Sequence, residues 1–302
     1  MRVIAHKVEV PVKGYTTFQA NLYGCGDWHL GTANCAESML DRTLEAIEKD
    51  PNGLFIGMGD YAECITPQDP RFDARSVDKY YLERLEDIAG AQFMEVRKKL
   101  KPLAEQGKII GLLDGNHEDN IRKRHYRHLT MDLCRELNVP YLSYTSFIVL
   151  RFQVKGKTSS SYPSSAYTIS AAHGWGAGRK KGSHINRIGD MLAWSDFDIA
   201  LRGHIHRIIT DTTTRLKISQ SSKTPILYQD TPVLGYTGCY YRSYIAGQDC
   251  YAEKAEYPPS DLGCVVVHIK PFKKISIPKT EGDAGGRKRV VAGELTIERF
   301  IQ

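Results

Sequence analysis

The chain has no long apolar run. No segment approaches the ~20 consecutive apolar residues that a membrane-spanning helix needs. The first twenty residues carry charged or polar side chains every few positions, with no apolar core of signal-peptide length. Cysteine is sparse and unpatterned. The seven cysteines, Cys25, Cys35, Cys64, Cys134, Cys239, Cys250 and Cys264, are odd in number and include no Cys-x-x-Cys pair. That indicates neither a disulfide framework nor a zinc ribbon, and small semi-buried thiols in a reducing compartment are the expectation. Charge of one sign is not in large excess either. Forty-one Lys and Arg against thirty-five Asp and Glu give a formal charge of +6, which leans toward anionic partners such as phosphates or nucleic acid without requiring them. There is no internal repeat and no long low-complexity tract. On these absences neither a membrane-spanning helix nor a disulfide framework is expected, and the expected location is the cytoplasm with no membrane partner. At 302 residues it has ample apolar content for a core, and we read residues 1–302 as a single domain.

What is present is one arrangement, repeated. An apolar run of strand length stops near a glycine and hands over polar side chains. Residues 19–26 lead to Asp27 and His29, and residues 54–58 to Gly59, Asp60 and then Glu63. Residues 109–113 lead to Asp114, Gly115, Asn116, His117 and Glu118. Residues 166–172 lead to His173, and residues 197–201 to Arg202, Gly203, His204, Ile205 and His206. Alternation puts His204 and His206 on one side of an extended segment. Between these runs the spacing of apolar residues predicts helices over 34–50 with Asn34 as cap, over 81–100, over 121–137 and over 183–194. Strand and helix in alternation indicate a parallel α/β sheet with crossover helices. The β-rich pieces 208–218, 233–238, 264–269 and 289–297 are expected to complete a second sheet, with 278–287 as an exposed loop.

Catalytic loops at the C-terminal ends of strands are the rule for such sheets. A single histidine is usually structural, but five strand ends carrying Asp, Asn and His form a pattern. Carboxylates, an amide oxygen and imidazoles together suit manganese, iron, zinc, nickel or cobalt better than calcium or magnesium alone. The set is large enough for two divalent ions, which can share a carboxylate, lower the pKa of a water and clamp a phosphoryl group.

In their order and wording these blocks resemble the calcineurin-like metallophosphoesterase superfamily, whose signatures are Asp-x-His, Gly-Asp, Gly-Asn-His-Asp/Glu, His, and Gly-His-x-His. All five lie between residues 27 and 206. The resemblance implies a four-layer α/β/β/α sandwich of two mixed sheets. It implies that Asp27, His29 and His206 bind one ion, that Asn116, His173 and His204 bind the other, and that Asp60 bridges. His117 is then the proton donor or transition-state stabiliser. Glu63 stands where the protein phosphatases of the superfamily carry an Asp that orients this histidine. Those phosphatases also hold phosphate with arginines where this chain has Cys64 and Asp114, so a Ser/Thr protein phosphatase is disfavoured. Asp-x-His-Leu-Gly and Gly-His-Ile-His are similar to the repair-nuclease branch, and residues 251–263 resemble phage and prophage-type phosphoesterases of undefined substrate.

Substrate recognition is then expected from two basic segments. One holds Arg122, Lys123, Arg124 and Arg127; the other follows His173 and holds Arg179, Lys180 and Lys181. A charge run is more often a solvated face, but these two flank ligand-bearing loops, and Tyr126 and Trp175 beside them could stack on bases. Arg179, Lys180, Lys181, Arg122 and Arg124 are the candidate substrate-binding residues. The expected activity is phosphodiester hydrolysis of nucleotides or nucleic acid, with a phosphomonoesterase or a non-catalytic scaffold as alternatives.

Overall fold

The computed structural model describes residues 1–155, 163–176, 178, 180–219, 226–247, 251–276, 289–291, 293–301. In chain order its first half runs β1 (Arg2–Val10), β2 (Ala20–Cys25), α1 (Glu37–Lys49), β3 (Gly53–Gly57), α2 (Lys79–Leu82), α3 (Ile88–Glu105), β4 (Ile109–Leu113), α4 (Asn116–His125), α5 (Leu129–Leu137) and β5 (Tyr141–Ser143). There follow β6 (Thr145–Val154), β7 (Ser164–Ala172), α6 (Lys181–Asp190), β8 (Ile199–Arg202), β9 (Ile208–Thr212), β10 (Arg215–Ser219), β11 (Ile226–Asp230) and β12 (Val233–Thr237). The last elements are α7 (Tyr251–Lys254), β13 (Cys264–Lys270), β14 (Lys274–Ser276), β15 (Arg289–Val291) and β16 (Glu294–Phe300).

Two six-stranded sheets form the body, ordered β16-β13-β2-β3-β4-β5 and β1-β6-β7-β8-β12-β9. Both are mixed: β2, β3, β4 and β5 run parallel while β13 is antiparallel to β2, and β7, β8 and β12 run parallel while β9 is antiparallel to β12. Every residue of β3 and β4 is buried, as central strands covered on both faces require. Leu22, Ile56 and Leu113 of the first sheet share one core with Ile148, Ile169 and Leu201 of the second. On its outer face the first sheet packs against α1, α3 and α5 through Leu40, Leu44, Val96, Leu100 and Leu133. The second is covered by α6, where Ile188 meets Phe197, Leu234 and Tyr236. Helix, sheet, sheet, helix is the four-layer sandwich expected. Among the described residues no helix is long and apolar enough to cross a membrane.

Several local expectations are corrected. The polar-looking N-terminus is a nine-residue strand, β1, paired with β6 at the edge of the second sheet; its exposed outer face masks the alternation. The helix expected over 121–137 is two helices, because Tyr126 turns left-handed (φ 54°) and ends the first. Asn34 does not cap α1, which starts at Glu37; its amide instead donates to the Arg242 carbonyl at 2.9 Å. The long helix begins at Ile88, where the Asp87 side chain accepts from Gly90 N–H. The C-terminal strands divide between the sheets: β9 and β12 join the second, whereas β13 and β16 extend the first. Cys25, Cys35, Cys64, Cys134, Cys239 and Cys264 are free thiols, while Cys250 and residues 278–287 lie outside the described residues.

One side chain ties two strand ends of the first sheet together. Glu118 Oε2 accepts from the amides of Gly115 (2.9 Å) and Asp60 (3.0 Å), and Oε1 accepts from Tyr61 (2.8 Å). Gly115 must be glycine, since a Cβ there would lie 2.0 Å from Asp60 Oδ1. In a Glu118→Gln variant either amide orientation sets an NH2 against a backbone N–H. We expect a loss of about 1–3 kcal/mol in urea or thermal unfolding, the cost of unmatched buried donors; unchanged stability would show that these loops are held by something else.

Candidate metal centre

The ends of β2, β3, β4, β7 and β8 deliver their polar residues to one crevice edge. Asp27, His29 and His206 bring ligand atoms within 4.8 Å of one another, as do Asp60, His173 and His204, and as do His29, Glu63 and His117. Asn116 joins the second group, its Oδ1 lying 3.1 Å from His173 Nε2. The seven candidate ligands thus assemble into two adjacent groups. His204 and His206 do so by a route that alternation did not foresee. Both are left-handed, at φ 72° and 54°, so the segment is bent and each ring enters a different group. Asp27, His29 and Asp60 also lie at φ near 50°. Non-glycine residues held there store strain of order 1–3 kcal/mol each, a feature that concentrates at functional sites.

Hydrogen bonds to the far side of each ring aim the near side inward. His173 Nδ1 donates to the Met58 carbonyl at 2.7 Å, leaving Nε2 toward Asp60 Oδ2 (3.2 Å) and Asn116. His29 Nδ1 meets Glu63 Oε2 at 2.9 Å, leaving Nε2 at 3.0 Å from His206 Nε2, which is itself 3.4 Å from Asp27 Oδ1. A ring whose outer nitrogen is engaged this way is set up as a metal ligand. Glu63 is therefore split in function: its carboxylate holds His29, and its main-chain carbonyl, not the carboxylate, accepts from His117 Nδ1 at 2.5 Å. Asp60 Oδ1 accepts the His117 amide at 2.9 Å, and Asp27 accepts that of His204 at 3.0 Å.

The donor spacing fits cations. Neighbouring ligand atoms around an ion with bonds of about 2.1 Å are about 3.0 Å apart in an octahedron and about 3.4 Å in a tetrahedron; the distances here run from 3.0 to 3.4 Å. Electrostatics agree. Burial disfavours the Asp60 anion, yet the His173 and His117 imidazoles hold its carboxyl well below the usual range. Burial likewise opposes a charged His173, but Asp60 and Asp27 push it up to about 10. Burial and the His173 charge pull His204 down to about 4. Two buried carboxylates thus demand positive charge, which a proton on His173 meets when no cation does.

The other candidates are placed differently. A cavity of about 750 Å³ opens from the His cluster and is lined by His117, Glu63 and Lys181. Arg122 and Arg124 are not among its lining residues. Arg122 binds Asp119 at 2.6 Å and Arg124 approaches Asp69 at 3.8 Å. Lys180 immediately precedes α6, and Arg179 lies outside the described residues. Instead Arg71 and Arg207 line the cavity. Arg71 is gripped by the buried Asp69, Nε to Oδ1 at 3.1 Å and Nη2 to Oδ2 at 2.9 Å. Tyr241, whose ring lies 5.4 Å from that of His29 and 5.9 Å from that of His206, was also missed. It follows β12, and the strand-end rule applied to residues 233–238 would have found it.

No protein-family model and no curated protein matches the chain. Among solved structures, Vps29 complexed with zinc from Entamoeba histolytica is 12% identical over 93% of this chain and 98% of that one, with a TM-score of 0.33. A single mutant of the same protein is 11% identical over 93% and 99%, with a TM-score of 0.26. Likenesses of this strength carry no argument about activity, and none bears on the resemblance of residues 251–263 to phage-type phosphoesterases.

Asp60→Asn should weaken manganese binding, because the amide removes the buried anion of the second group, and binding at both groups should be lost where Asp60 also serves the ion of Asp27, His29 and His206. Calorimetric titration checks this; two ions retained per chain would exclude Asp60 as a shared ligand.

Proposed function

We propose that the chain is a two-metal phosphodiesterase acting on nucleotides or nucleic acid. The observation that carries this reading is the assembly of a complete donor set for two cations, with His117 beside it, at one end of a cavity that Arg71, Lys181 and Arg207 also line. Asp27, His29 and His206 would hold one ion, Asn116, His173 and His204 the other, and Asp60 both. Manganese is favoured, with iron, zinc, nickel or cobalt as alternatives. Such a pair supplies Lewis-acid charge neutralisation and a water of lowered pKa for in-line displacement at phosphorus.

The protein's own part is positional and protonic. Because His117 Nδ1–H is committed to the Glu63 carbonyl, Nε2 is the atom left for the cavity. Burial works against protonation of this ring, but the Asp60 and Glu63 carboxylates raise its pKa above the ordinary histidine value. The two carboxylates thus favour the protonated ring, and a proton on Nε2 is placed to go to the leaving oxygen. Glu63 positions His29 by its carboxylate and His117 by its backbone. Arg71, oriented by Asp69, offers a guanidinium to a non-bridging phosphate oxygen.

Burial of Cys64 and Asp114 supports a diester over a monoester. Both are 2% exposed. Cys64 N–H donates to Gln92 Oε1, and Asp114 accepts from the Tyr141 hydroxyl. Neither position offers a cation to a dianionic terminal phosphate.

The manganese-loaded protein should hydrolyse bis-p-nitrophenyl phosphate faster than p-nitrophenyl phosphate. The reverse preference would make it a phosphomonoesterase, and inertness toward both would favour a metal-bearing scaffold. His117→Ala should keep its ions and lose turnover about 100-fold, the usual scale of a lost general acid; unchanged turnover would remove His117 from the reaction.

A further inference from the structure

Trp175, two residues after His173, is 76% exposed. Its indole lies parallel to the His204 imidazole, with centroids 5.8 Å apart and planes 10° apart. A tryptophan placed for burial would bed its ring on apolar neighbours, whereas this one rests one face on a candidate ligand and leaves the rest to water. Its backbone is nevertheless held. The Trp175 carbonyl accepts from Arg187 Nη1 at 2.5 Å. The flanking Gly174 and Gly176 are left-handed, at φ 94° and 111°, and a Cβ on Gly176 would lie 2.4 Å from that same Nη1. The loop is thus closed against Arg187 in a form that keeps the indole outward.

The geometry points to Trp175 as a stacking platform for an unpaired nucleobase, making single-stranded nucleic acid the substrate that crosses the mouth of the cavity. This rests on the diesterase reading above and narrows it. A base on the outer face of the indole is separated from His204 by one ring, so the phosphate of that nucleotide falls toward the second donor group. The path of a polyanion is favoured by Lys181, Arg71 and Arg207, which line the cavity together with Gly176, the neighbour of Trp175. A duplex has its bases already stacked and offers no free face, and a base bound on an exposed rim belongs to a strand more readily than to a small molecule enclosed in the cavity.

The test is binding of fluorescein-labelled oligothymidylate to the metal-free protein, followed by anisotropy and by tryptophan emission, against an abasic oligomer of equal length and a duplex. Trp175→Ala should weaken binding of the base-bearing strand about tenfold, the scale of one lost stack, and erase the preference over the abasic strand. Trp175→Phe should restore most of the affinity while losing the emission change seen with the native protein, when both are compared in a Trp194→Phe background, since Trp194 is 69% exposed and Trp28 is fully buried. Equal affinity of the native and Trp175→Ala proteins for oligothymidylate, or a preference for duplex, would overturn the proposal. Hydrolysis of bis-p-nitrophenyl phosphate by the native protein is measured alongside. Activity there with no effect of Trp175 on binding sinks the platform alone, and a Trp175-dependent preference for bases in an inert protein sinks the diesterase reading alone.

Discussion

Two enclosed carboxylates, Asp27 at 0% and Asp60 at 1% exposure, are the constraint that the centre of this protein answers to. A buried anion without compensation is prohibitively costly, and here the compensation comes from every direction. Backbone amides of His204 and His117 point at the two side chains, and the rings of His206 and His173 stand beside them. What the amides and rings leave unmet is a full positive charge. A proton on His173 or divalent cations can provide it, and the 3.0 to 3.4 Å donor spacing suits the second.

That demand shapes the loops. Each ligand-bearing segment leaves its strand and must turn back within two or three residues to bring a short side chain to a shared point. Left-handed backbone at Asp27, His29, Asp60, His204 and His206 achieves this at a cost in strain. The rigid sandwich beneath absorbs it: fully buried β3 and β4 fix two of the departure points, and Glu118 binds those two ends to each other. The site and the core are therefore one mechanical unit on the β3–β4 side. On the β7–β8 side, the Trp175 loop is held by Arg187 and by contact with His204.

Much of the arrangement was legible in the chain. Apolar runs ending in Asp27, Asp60, Asn116, His173 and His204 located the five strand ends correctly, because a buried parallel strand has a continuous apolar signature and its C-terminal end is where polar side chains emerge. Alternation failed at His204 and His206 because it assumes extended backbone, and nothing in Gly-His-Ile-His announces two left-handed residues. The N-terminal strand was missed because an edge strand with one wet face reads as polar. The directions of the basic side chains were not legible either, although Lys181 does line the cavity. Arg122 and Arg124 lie near the motif in sequence but are turned to Asp119 and Asp69, while Arg71, in a loop with no signature, reaches the cavity.

Residue identity by itself determined the candidate donors, carboxylates, an amide and imidazoles at strand ends, and strand and helix periodicity indicated a parallel α/β sheet and a second sheet, while the four-layer sandwich was implied by the family resemblance. The resemblance implied how those donors divide, and only the tertiary structure decided that Glu63 serves His29 with its carboxylate and His117 with its carbonyl, and which basic side chains face the cavity. Those outcomes depend on where side chains of distant segments point after the backbone has turned, and that direction is set by packing between the sheets, which no local pattern records.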